Sequence, residues 1–358
     1  MKVLITGAFG NLGQMCINQA LDLGYELRLF DLDSVNNRHL AQKYQGRCEM
    51  VWGDIQDASL HPRLVEGVDA IIHNAALLPP ATETSAFLSH EVNITACKRL
   101  IHAADQLDKK PLFIYTSSDS VFGMAESGEG VLSADSTVTA TDNYTQQKLM
   151  IESYLQDSHI DYVILRVAVS VDGRSLNTDR ATLRQLLEVR ADNPMEYVHP
   201  KDVALAMCKA CSQEEARNKI LLIGGGEGCQ ITQHDFLKTV FEGLGLKLPA
   251  FVHGVAPNYN HWLDTSESQA ILQFQRHDFS QFREEIFDRL KPLRLFIKPL
   301  AFILNPTLSS QELLATICDQ LKIRYRKTGA TLKTLTDKIS EKLLKSYGVW
   351  QDLECLSR

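Results

Sequence analysis

A glycine-rich loop between an apolar run and an amphipathic segment constrains the fold of this chain more than any other feature. Residues Lys2–Thr6 form an apolar run typical of a buried strand, and the loop Gly7-Ala8-Phe9-Gly10-Asn11-Leu12-Gly13 follows directly. Residues Asn11–Leu23 then space their apolar side chains with the 3.6-residue period of a helix. Glycine allows tight backbone turns and a close approach of helix to strand. The pattern therefore predicts a strand, a tight turn and a helix.

The same alternation continues through the first half of the chain. Segments with helical periodicity, such as His90–Leu107, separate the apolar runs. The predicted strands are Lys2–Thr6, Glu26–Asp31, Glu49–Trp52, Asp69–His73, Leu112–Ser117 and Tyr162–Val167. Strands separated by helix-length segments form βαβ units, which build parallel sheets with helices on both faces. We therefore predict an α/β fold with a doubly wound parallel sheet and right-handed crossovers.

The pattern loosens after Gly173, and the predicted elements become less regular. They are helices at Thr178–Ala191, Lys201–Cys211 and Ile231–Leu244, and strands at Tyr197–His199 and Lys219–Ile223. We predict a main domain of residues 1–172, to which 196–224 return, and a smaller substrate-binding lobe of 173–195 and 225–285. A helical C-terminal extension of residues 286–358 completes the chain.

The C-terminal extension differs from the rest of the chain in charge. Residues 285–358 contain 13 Lys and Arg against 8 Asp and Glu, a net charge of +5. Two amphipathic helices are predicted there, at Ser310–Ile323 and Thr331–Tyr347. We expect them to pack on the main domain or on a second subunit. The alternative is contact of residues 290–347 with an anionic membrane surface or a protein partner.

Composition excludes several classes of protein. The formal charge of −7, from 37 Lys and Arg against 44 Asp and Glu, argues against a nucleic-acid binder. The 8 cysteines are scattered and predict reduced thiols in a cytoplasmic protein. A membrane-spanning helix needs about 20 apolar residues, and the most apolar segment, Leu293–Leu304, is interrupted by Lys298 and Pro299. We expect no transmembrane segment, no signal peptide and no metal site.

The first strand, loop and helix together predict a dinucleotide site. Glycines let the backbone approach a pyrophosphate, and the helix N-terminus offers free N–H groups and the positive end of its dipole. The second predicted strand ends at Asp31, 18 residues after Gly13, where a carboxylate can accept hydrogen bonds from ribose hydroxyls. The same carboxylate repels a 2′-phosphate, which favours NAD over NADP. Asp54 and Ile55, after the third strand, are candidates for contacts with adenine.

A hydroxyl, a phenol and an amine form the candidate catalytic group. Ser118 lies at the carboxyl end of the fifth strand, and Tyr144 and Lys148 lie four residues apart on the next helix. A free phenol has a pKa of ~10 and is a weak base at neutral pH. A nearby ammonium group and a cationic nicotinamide would both lower that pKa. This arrangement favours acid–base chemistry at a carbon–oxygen bond.

These motifs resemble the extended short-chain dehydrogenase/reductase superfamily, in the NAD-dependent epimerase/dehydratase family. The similarity covers residues 1–285. It includes the glycine loop, Asp31, Asp54-Ile55, His73-Asn74-Ala75-Ala76, Val92-Asn93, Ser118…Val121-Phe122-Gly123, Tyr144/Lys148, Arg166 and the segment from Tyr197 to Ala204. The resemblance implies a Rossmann-type fold of about seven strands, bound NAD, a small-molecule substrate and a homodimer formed through helices.

The resemblance also implies residue roles. Tyr144 would be the acid and base, Lys148 would bind the nicotinamide ribose, and Ser118 would polarise the substrate oxygen. Asn93 would orient this group or its water, with a helix cap or a buried amide as the alternative. The further implied cofactor contacts are Asn74, Ala75, Ala76, Asn93, Ser117 and Val167.

Departures from the family pattern favour some reactions of the family over others. Family dehydratases carry an Asp-Glu pair after the catalytic hydroxyl residue, and here Asp119-Ser120 stands there, which argues against a dehydratase. Nucleotide-sugar enzymes of the family use an Asn and an Arg to hold the diphosphate, where this chain has Val169 and Met195. We therefore favour an NAD-dependent dehydrogenase acting on a secondary alcohol or its ketone, either a sugar acid or a hydroxysteroid-like alcohol. A nucleotide-sugar epimerase with tightly bound NAD and a non-catalytic NAD-binding sensor or scaffold are the alternatives.

Overall fold

A seven-stranded parallel sheet dominates the computed structural model, which describes residues 1–126, 128, 130–173, 186–248 and 253–301. The strands in these ranges are β1 (Lys2–Thr6), β2 (Glu26–Asp31), β3 (Glu49–Trp52), β4 (Ala70–His73), β5 (Leu112–Ser118), β6 (Tyr162–Val167), β7 (Pro194–Glu196), β8 (Lys219–Ile223) and β9 (Gln230–Thr232). The order in the sheet is β3-β2-β1-β4-β5-β6-β8, with all neighbours parallel. Strands β7 and β9 form a separate antiparallel pair. The predicted fold class is confirmed.

Helices flank the strands along the described part of the chain. They are α1 (Asn11–Asp22), α2 (Val35–Ala41), α3 (His61–Val65), α4 (Ala81–Thr84), α5 (Ala86–His90), α6 (Cys97–Asp105), α7 (Asn143–Gln156), α8 (Pro200–Ala210), α9 (Gln233–Gly243), α10 (Ser266–Leu272) and α11 (Phe279–Ala301). A π-helical stretch, Glu91–Ala96, joins α5 to α6.

The sheet is buried on both faces, as the nearly continuous apolar strands predict. Helices α1 and α8 cover one face, where Ile17 and Met207 are fully buried. Helices α3, α6 and α7 cover the other, with Leu100 and Ile151 fully buried. The strand order reverses at β1, which pairs with β2 on one side and β4 on the other. Open α/β sheets bind ligands in the crevice at such a switch point, at the carboxyl ends of the strands.

One predicted strand is wrong in position. The sequence predicts a strand at Tyr197–His199, but the strand is Pro194–Glu196, paired with Gln230–Thr232. Tyr197 forms only an isolated bridge with Val169. The His199 backbone is still extended, with φ −67° and ψ 133°, but its side chain caps α8 and Pro200 occupies the first turn, so this segment leads into the helix.

The predicted helix at Thr178–Ala191 ends earlier than expected, because Val189 forms a bridge with Ala256. Only Leu186–Glu188 of that segment is described as helical, and residues 174–185 lie outside the described residues. The predicted helices at 310–323 and 331–347 lie outside them as well. The proposed surface contact of residues 290–347 therefore stays a prediction.

By packing, the chain divides into two compact units. The first contains Met1–Leu176, Val189–Gln233 and Val255–Phe282, and it holds both sheets. The second contains Asn177–Glu188, His234–Gly254 and Arg283–Arg358. The predicted substrate-binding lobe is a division by function and stays a prediction. Within the described residues, no helix is long and apolar enough to cross a membrane, and no three His, Cys, Asp or Glu side chains cluster as a metal site would require.

A buried ion pair ties α7 to the sheet. The Arg166 guanidinium on β6 binds the Glu152 carboxylate on α7 through Nε at 3.2 Å and Nη2 at 2.8 Å. The Ser117 hydroxyl of β5 donates to the same carboxylate at 2.5 Å. All three side chains are buried. Charges in such surroundings are tolerated only when they are paired and hydrogen-bonded, so this network fixes α7 against β5 and β6.

We predict that Glu152→Gln lowers the free energy of unfolding by about 3–5 kcal/mol, because it leaves the Arg166 charge buried without a counter-charge. Urea denaturation measures the change. Glu214→Gln is the matched control, since it removes the carboxylate from an exposed pair with Arg217 and should cost at most about 1 kcal/mol. Equal effects of the two substitutions would contradict the role given to the buried pair.

Candidate active site

The glycine loop after β1 leaves room for a phosphate. Gly7 has a φ of +62°, and a Cβ there would lie 2.8 Å from the backbone nitrogen of Ala75. A Cβ on Gly13 would lie 2.2 Å from the carbonyl oxygen of Gly7, so α1 can approach the loop only with glycine there. Gly10 precedes α1, and no side chain caps this helix end. The first N–H groups of α1 are therefore available to an anion, which fits the pyrophosphate of NAD.

The Asp31 carboxylate is held at the end of β2, beside the loop. Its Oδ2 accepts from the backbone N–H of Phe9 at 2.7 Å, and its Oδ1 accepts from Asn37 Nδ2 at 3.2 Å. The Phe9 ring stacks on Trp52 with 5.4 Å between centroids. Sequence reasoning missed Asn37 and Trp52, although an aromatic residue at the end of a strand was a visible signal. This rigid carboxylate is suited to bind ribose hydroxyls.

Arg38 and the two proposed adenine contacts complete this end of the site. Arg38 lies over the Trp52 ring at 5.2 Å and is bound by Asp33 through two hydrogen bonds. Asp54 accepts from the backbone N–H of Gln56 at 2.9 Å, as a loop residue would. Ile55 is buried in the core beneath the sheet. Both residues lie at the carboxyl end of β3, and their contacts with adenine stay predictions.

The segment after β4 crosses the switch point. The backbone N–H of Asn74 donates to the Thr6 carbonyl at 3.3 Å, and that of Ala75 donates to the Thr6 hydroxyl at 3.3 Å. The Asn74 Oδ1 accepts from the Thr116 hydroxyl at 2.8 Å. The segment 74–76, which includes Ala76, is thereby joined to β1 and β5 beside the glycine loop. Ser117 and Val167 end neighbouring strands and are buried, with the Ser117 hydroxyl directed to Glu152 rather than to the crevice.

Asn93 lies in the π-helical stretch and acts as a structural clamp. Its Oδ1 accepts from the Leu77 N–H at 2.8 Å, and its Nδ2 donates to the Leu77 carbonyl at 2.9 Å. The same Nδ2 donates to Gln147 Oε1 at 2.8 Å, and Gln147 in turn donates to Ser89. These bonds use both N–H donors of the Asn93 amide and one lone pair of its oxygen. The side chain therefore joins the loop after β4 to α7, one residue before Lys148.

Ser118, Tyr144 and Lys148 meet at the carboxyl end of β5. The Asp142 side chain and Thr145 form a capping box that starts α7 just before Tyr144. The Lys148 ammonium lies 5.5 Å from the centroid of the Tyr144 ring and donates to the Thr116 carbonyl at 2.6 Å. Ser118 is hydrogen-bonded to Tyr144. The three side chains that the sequence singles out are thus brought together, although their catalytic roles stay predictions.

Burial shifts the acidity of both groups on α7 toward their neutral forms. Desolvation raises the pKa of Tyr144 to about 12, with the Ser118 hydrogen bond lowering it and the charges of Asp119 and Asp142 raising it. Desolvation also lowers the pKa of Lys148 to about 8. Burial keeps the phenol neutral although the Lys148 ammonium lies beside its ring, and the cationic nicotinamide of NAD would add a second positive charge.

A carboxyl group beside the catalytic group was missed as a functional residue by sequence reasoning. Asp119 is only 3% exposed. Burial raises its pKa to about 8, and the charge of Glu196 adds to the effect. Its Oδ1 accepts from the Ser118 hydroxyl at 3.4 Å. The only sequence signal was its position directly after Ser118.

Comparison with known proteins shows the family to which the chain belongs. A sequence model of the NAD-dependent epimerase/dehydratase family matches residues 3–224. The chain is 27% identical over 275 residues to 3 beta-hydroxysteroid dehydrogenase/Delta 5→4-isomerase of Mycobacterium tuberculosis, over 69% of this chain and 70% of that protein. It is 30% identical over 179 residues to D-erythronate dehydrogenase of Haemophilus influenzae, over 47% of this chain and 54% of that protein.

A solved structure, that of Thermus thermophilus UDP-glucose 4-epimerase in complex with NAD, shares the fold with a TM-score of 0.66. It is 20% identical and covers 81% of this chain and 99% of its own. At that identity the likeness concerns the fold alone.

We predict that Asp31→Ser weakens NAD binding about tenfold, since two charge-assisted hydrogen bonds to ribose are lost. The same change should strengthen NADP binding, because the repulsion of its 2′-phosphate is removed. Isothermal titration calorimetry with each dinucleotide measures both effects. Asp57→Ser, which removes an exposed carboxylate after β3, is the control and should leave both affinities unchanged. An unaltered NAD-to-NADP preference in Asp31→Ser would refute the assignment of Asp31 to the ribose.

Proposed function

The chain belongs to the NAD-dependent epimerase/dehydratase family and is an NAD-dependent oxidoreductase, and we propose that Ser118, Tyr144 and Lys148 carry its hydride transfer at a secondary alcohol or ketone. The observation that supports this most is their convergence at the carboxyl end of β5, beside a loop shaped for a dinucleotide. A sensor or scaffold that only binds NAD would have no need for a phenol beside a buried ammonium.

Each side chain has a distinct task in the proposed reaction. NAD would be held by the glycine loop and Asp31 and would supply the hydride acceptor for the carbinol carbon. Tyr144 takes the hydroxyl proton, which its phenolate form can do. Lys148, fixed by the Thr116 carbonyl, places a positive charge over the Tyr144 ring and favours that phenolate. Ser118 donates a hydrogen bond to the substrate oxygen and keeps it near Tyr144.

The two positions that differ from nucleotide-sugar enzymes support a dehydrogenase over an epimerase. Met195 is 1% exposed, on strand β7, and so offers nothing to a diphosphate. Val169 is joined through its backbone to Glu196 and Val198. Neither residue can replace the amide and guanidinium that would hold a nucleotide diphosphate, so we place the nucleotide-sugar epimerase second.

The charge around Tyr144 favours a neutral substrate. The Asp119 and Asp142 carboxyl groups both raise the pKa of Tyr144, and the Lys148 ammonium over its ring is bound to the Thr116 carbonyl. Glu83 on α4 adds a carboxylate, which accepts from the Tyr144 N–H at 3.3 Å. Leu78, 57% exposed in the segment leading to α4, offers apolar surface close by. We propose a neutral, largely apolar secondary alcohol of the hydroxysteroid type, which the likeness to the mycobacterial 3 beta-hydroxysteroid dehydrogenase also supports.

A sugar acid is the second candidate substrate, supported by the likeness to D-erythronate dehydrogenase. An anionic substrate would need a cation in addition to Lys148, which already binds the Thr116 carbonyl. A panel of hydroxysteroids, sugar acids and neutral sugars, assayed by absorbance of reduced nicotinamide, separates the classes. Oxidation of sugar acids alone would overturn the proposal of a neutral substrate and leave the dehydrogenase intact.

We predict that Tyr144→Phe reduces turnover at least 10²–10³-fold, the usual contribution of a general acid–base group. NAD affinity, measured by calorimetry, should change little because the glycine loop and Asp31 are untouched. Tyr154→Phe, on the same helix α7, is the matched control and should retain activity. Full turnover in Tyr144→Phe would remove the phenol from the reaction.

We also propose that the protein is a homodimer. Phe87 and Leu88 on α5 are 81% and 45% exposed, and Met150 projects from α7 with 36% exposure. A second copy of this chain is the occupant that a dimer formed through helices would bring to these apolar side chains. Their burial would remove apolar area from water, which favours association.

We predict that Phe87→Asp shifts the sedimentation coefficient from that of a dimer to that of a monomer, because a charge would be buried at the interface. Val255→Asp is the matched control, because the Val255 side chain is 92% exposed and lies outside α5 and α7. It should leave the assembly unchanged. A monomeric wild-type protein at micromolar concentration would refute the dimer.

We propose a cytoplasmic location because the described cysteines are free thiols. Cys16, Cys48, Cys97, Cys208, Cys211 and Cys229, which lie among the described residues, are all free thiols. Free buried thiols are typical of a reducing compartment.

A further inference from the structure

The Ser118 hydroxyl has more potential hydrogen-bond partners than it can bond to at one time. Its oxygen receives two hydrogen bonds from Ser120, one from the backbone N–H at 3.3 Å and one from the hydroxyl at 2.9 Å. A serine hydroxyl has two lone pairs and one proton. Ser120 therefore fills its accepting capacity, and Ser118 enters the reaction as a donor only.

One proton of Ser118 then faces several acceptors. The Asp119 Oδ1 lies 3.4 Å from the Ser118 oxygen, and the Tyr144 oxygen is also hydrogen-bonded to it. A bound substrate would add its own oxygen. An ionised carboxylate is a much stronger acceptor than a neutral one, so the charge on Asp119 decides whether this proton is free.

Asp119 lies in surroundings that oppose its charge. Its side chain is buried, and its Oδ2 has no hydrogen-bond partner among the described residues. Glu196 on β7 faces it with another carboxyl group, and Tyr144 faces it from α7. The Glu196 oxygens already accept from the backbone N–H groups of Gly226 and Leu263. Asp119 is consequently neutral up to a pH of about 8.

We propose that Asp119 and Ser120 are positioning residues that decide where the Ser118 proton points. With Asp119 neutral, Ser118 donates to the substrate oxygen, and the site is competent. With Asp119 ionised, Ser118 turns to the carboxylate, and the new negative charge also opposes the Tyr144 phenolate. The inference rests on the proposed function of Ser118 and Tyr144.

The rate of alcohol oxidation should depend on the ionisation of Asp119. Ionisation of Asp119 removes the Ser118 donor, so alcohol oxidation should decline as the pH rises past about 8. In Asp119→Asn the side chain cannot ionise, and its carbonyl is a neutral acceptor at every pH. The part of the decline that Asp119 causes should therefore be absent in this variant, so its activity should fall less than that of the wild type above a pH of about 8. Loss of the Lys148 proton, whose pKa burial also lowers to about 8, accounts for the decline that remains.

A second readout needs no substrate. Ultraviolet difference titration of the NAD complex against Tyr144→Phe reports the Tyr144 phenolate alone. Above a pH of about 8, Asp119→Asn should show a larger phenolate fraction than the wild type, because a like charge has been removed. Glu227→Gln, which changes an exposed carboxylate between β8 and β9, is the matched control and should titrate as the wild type does.

Ser120 is tested by removal and rescue of its hydroxyl. Ser120→Ala frees a lone pair on Ser118 and should lower kcat about tenfold with unchanged NAD affinity, whereas Ser120→Thr keeps a hydroxyl and should restore kcat. A decline past a pH of about 8 that is as large in Asp119→Asn as in the wild type would overturn the inference. Loss of turnover at every pH in that variant would also overturn it, since Asp119 would then donate a proton itself. Full turnover in Tyr144→Phe would instead refute the proposed function.

Discussion

The position of Tyr144 depends on three buried polar side chains of helix α7. Gln147 binds Asn93, Lys148 binds the Thr116 carbonyl, and Glu152 binds Arg166. An apolar contact could slide by a fraction of a turn, but a hydrogen bond broken in a dry interior costs about 1–3 kcal/mol. The helix is thus fixed in both rotation and height against β5. The Tyr144 phenol lies in the first turn of this helix, so its position is fixed as well.

The same burial that fixes α7 sets the acidity of the site. Desolvation disfavours every charge, so it raises the pKa of Tyr144 and Asp119 and lowers that of Lys148. The Lys148 ammonium and a cation brought by the cofactor would therefore both act on this buried phenol. In the proposed reaction, the second charge links proton transfer to the presence of oxidised NAD, because it adds to the support that Lys148 gives the phenolate.

Sequence alone located the parts of the site that follow local rules. The strands and the glycine loop were predictable because burial, period and backbone freedom act over a few residues, as at Gly7 and Gly13. The partners of Asn93 and the burial of Asp119 were not, because they depend on segments distant in the chain: Gln147 lies 54 residues from Asn93. The misplaced strand at 197–199 shows the converse, where a cap at His199 and a proline outweighed apolar character.

The missing glutamate after Asp119 gives the last constraint on the chemistry. Water loss from a sugar needs one group to remove a carbon-bound proton and another to protonate the departing hydroxyl. Here Ser120 occupies the position of the missing glutamate, and its hydroxyl donates a hydrogen bond to Ser118. The remaining carboxyl, Asp119, is buried and bonded toward Ser118 instead of standing free. The site therefore has one acid, Asp119, which orients Ser118, and it lacks the pair of groups required for elimination. Its residues support hydride transfer with Tyr144 as the single proton acceptor.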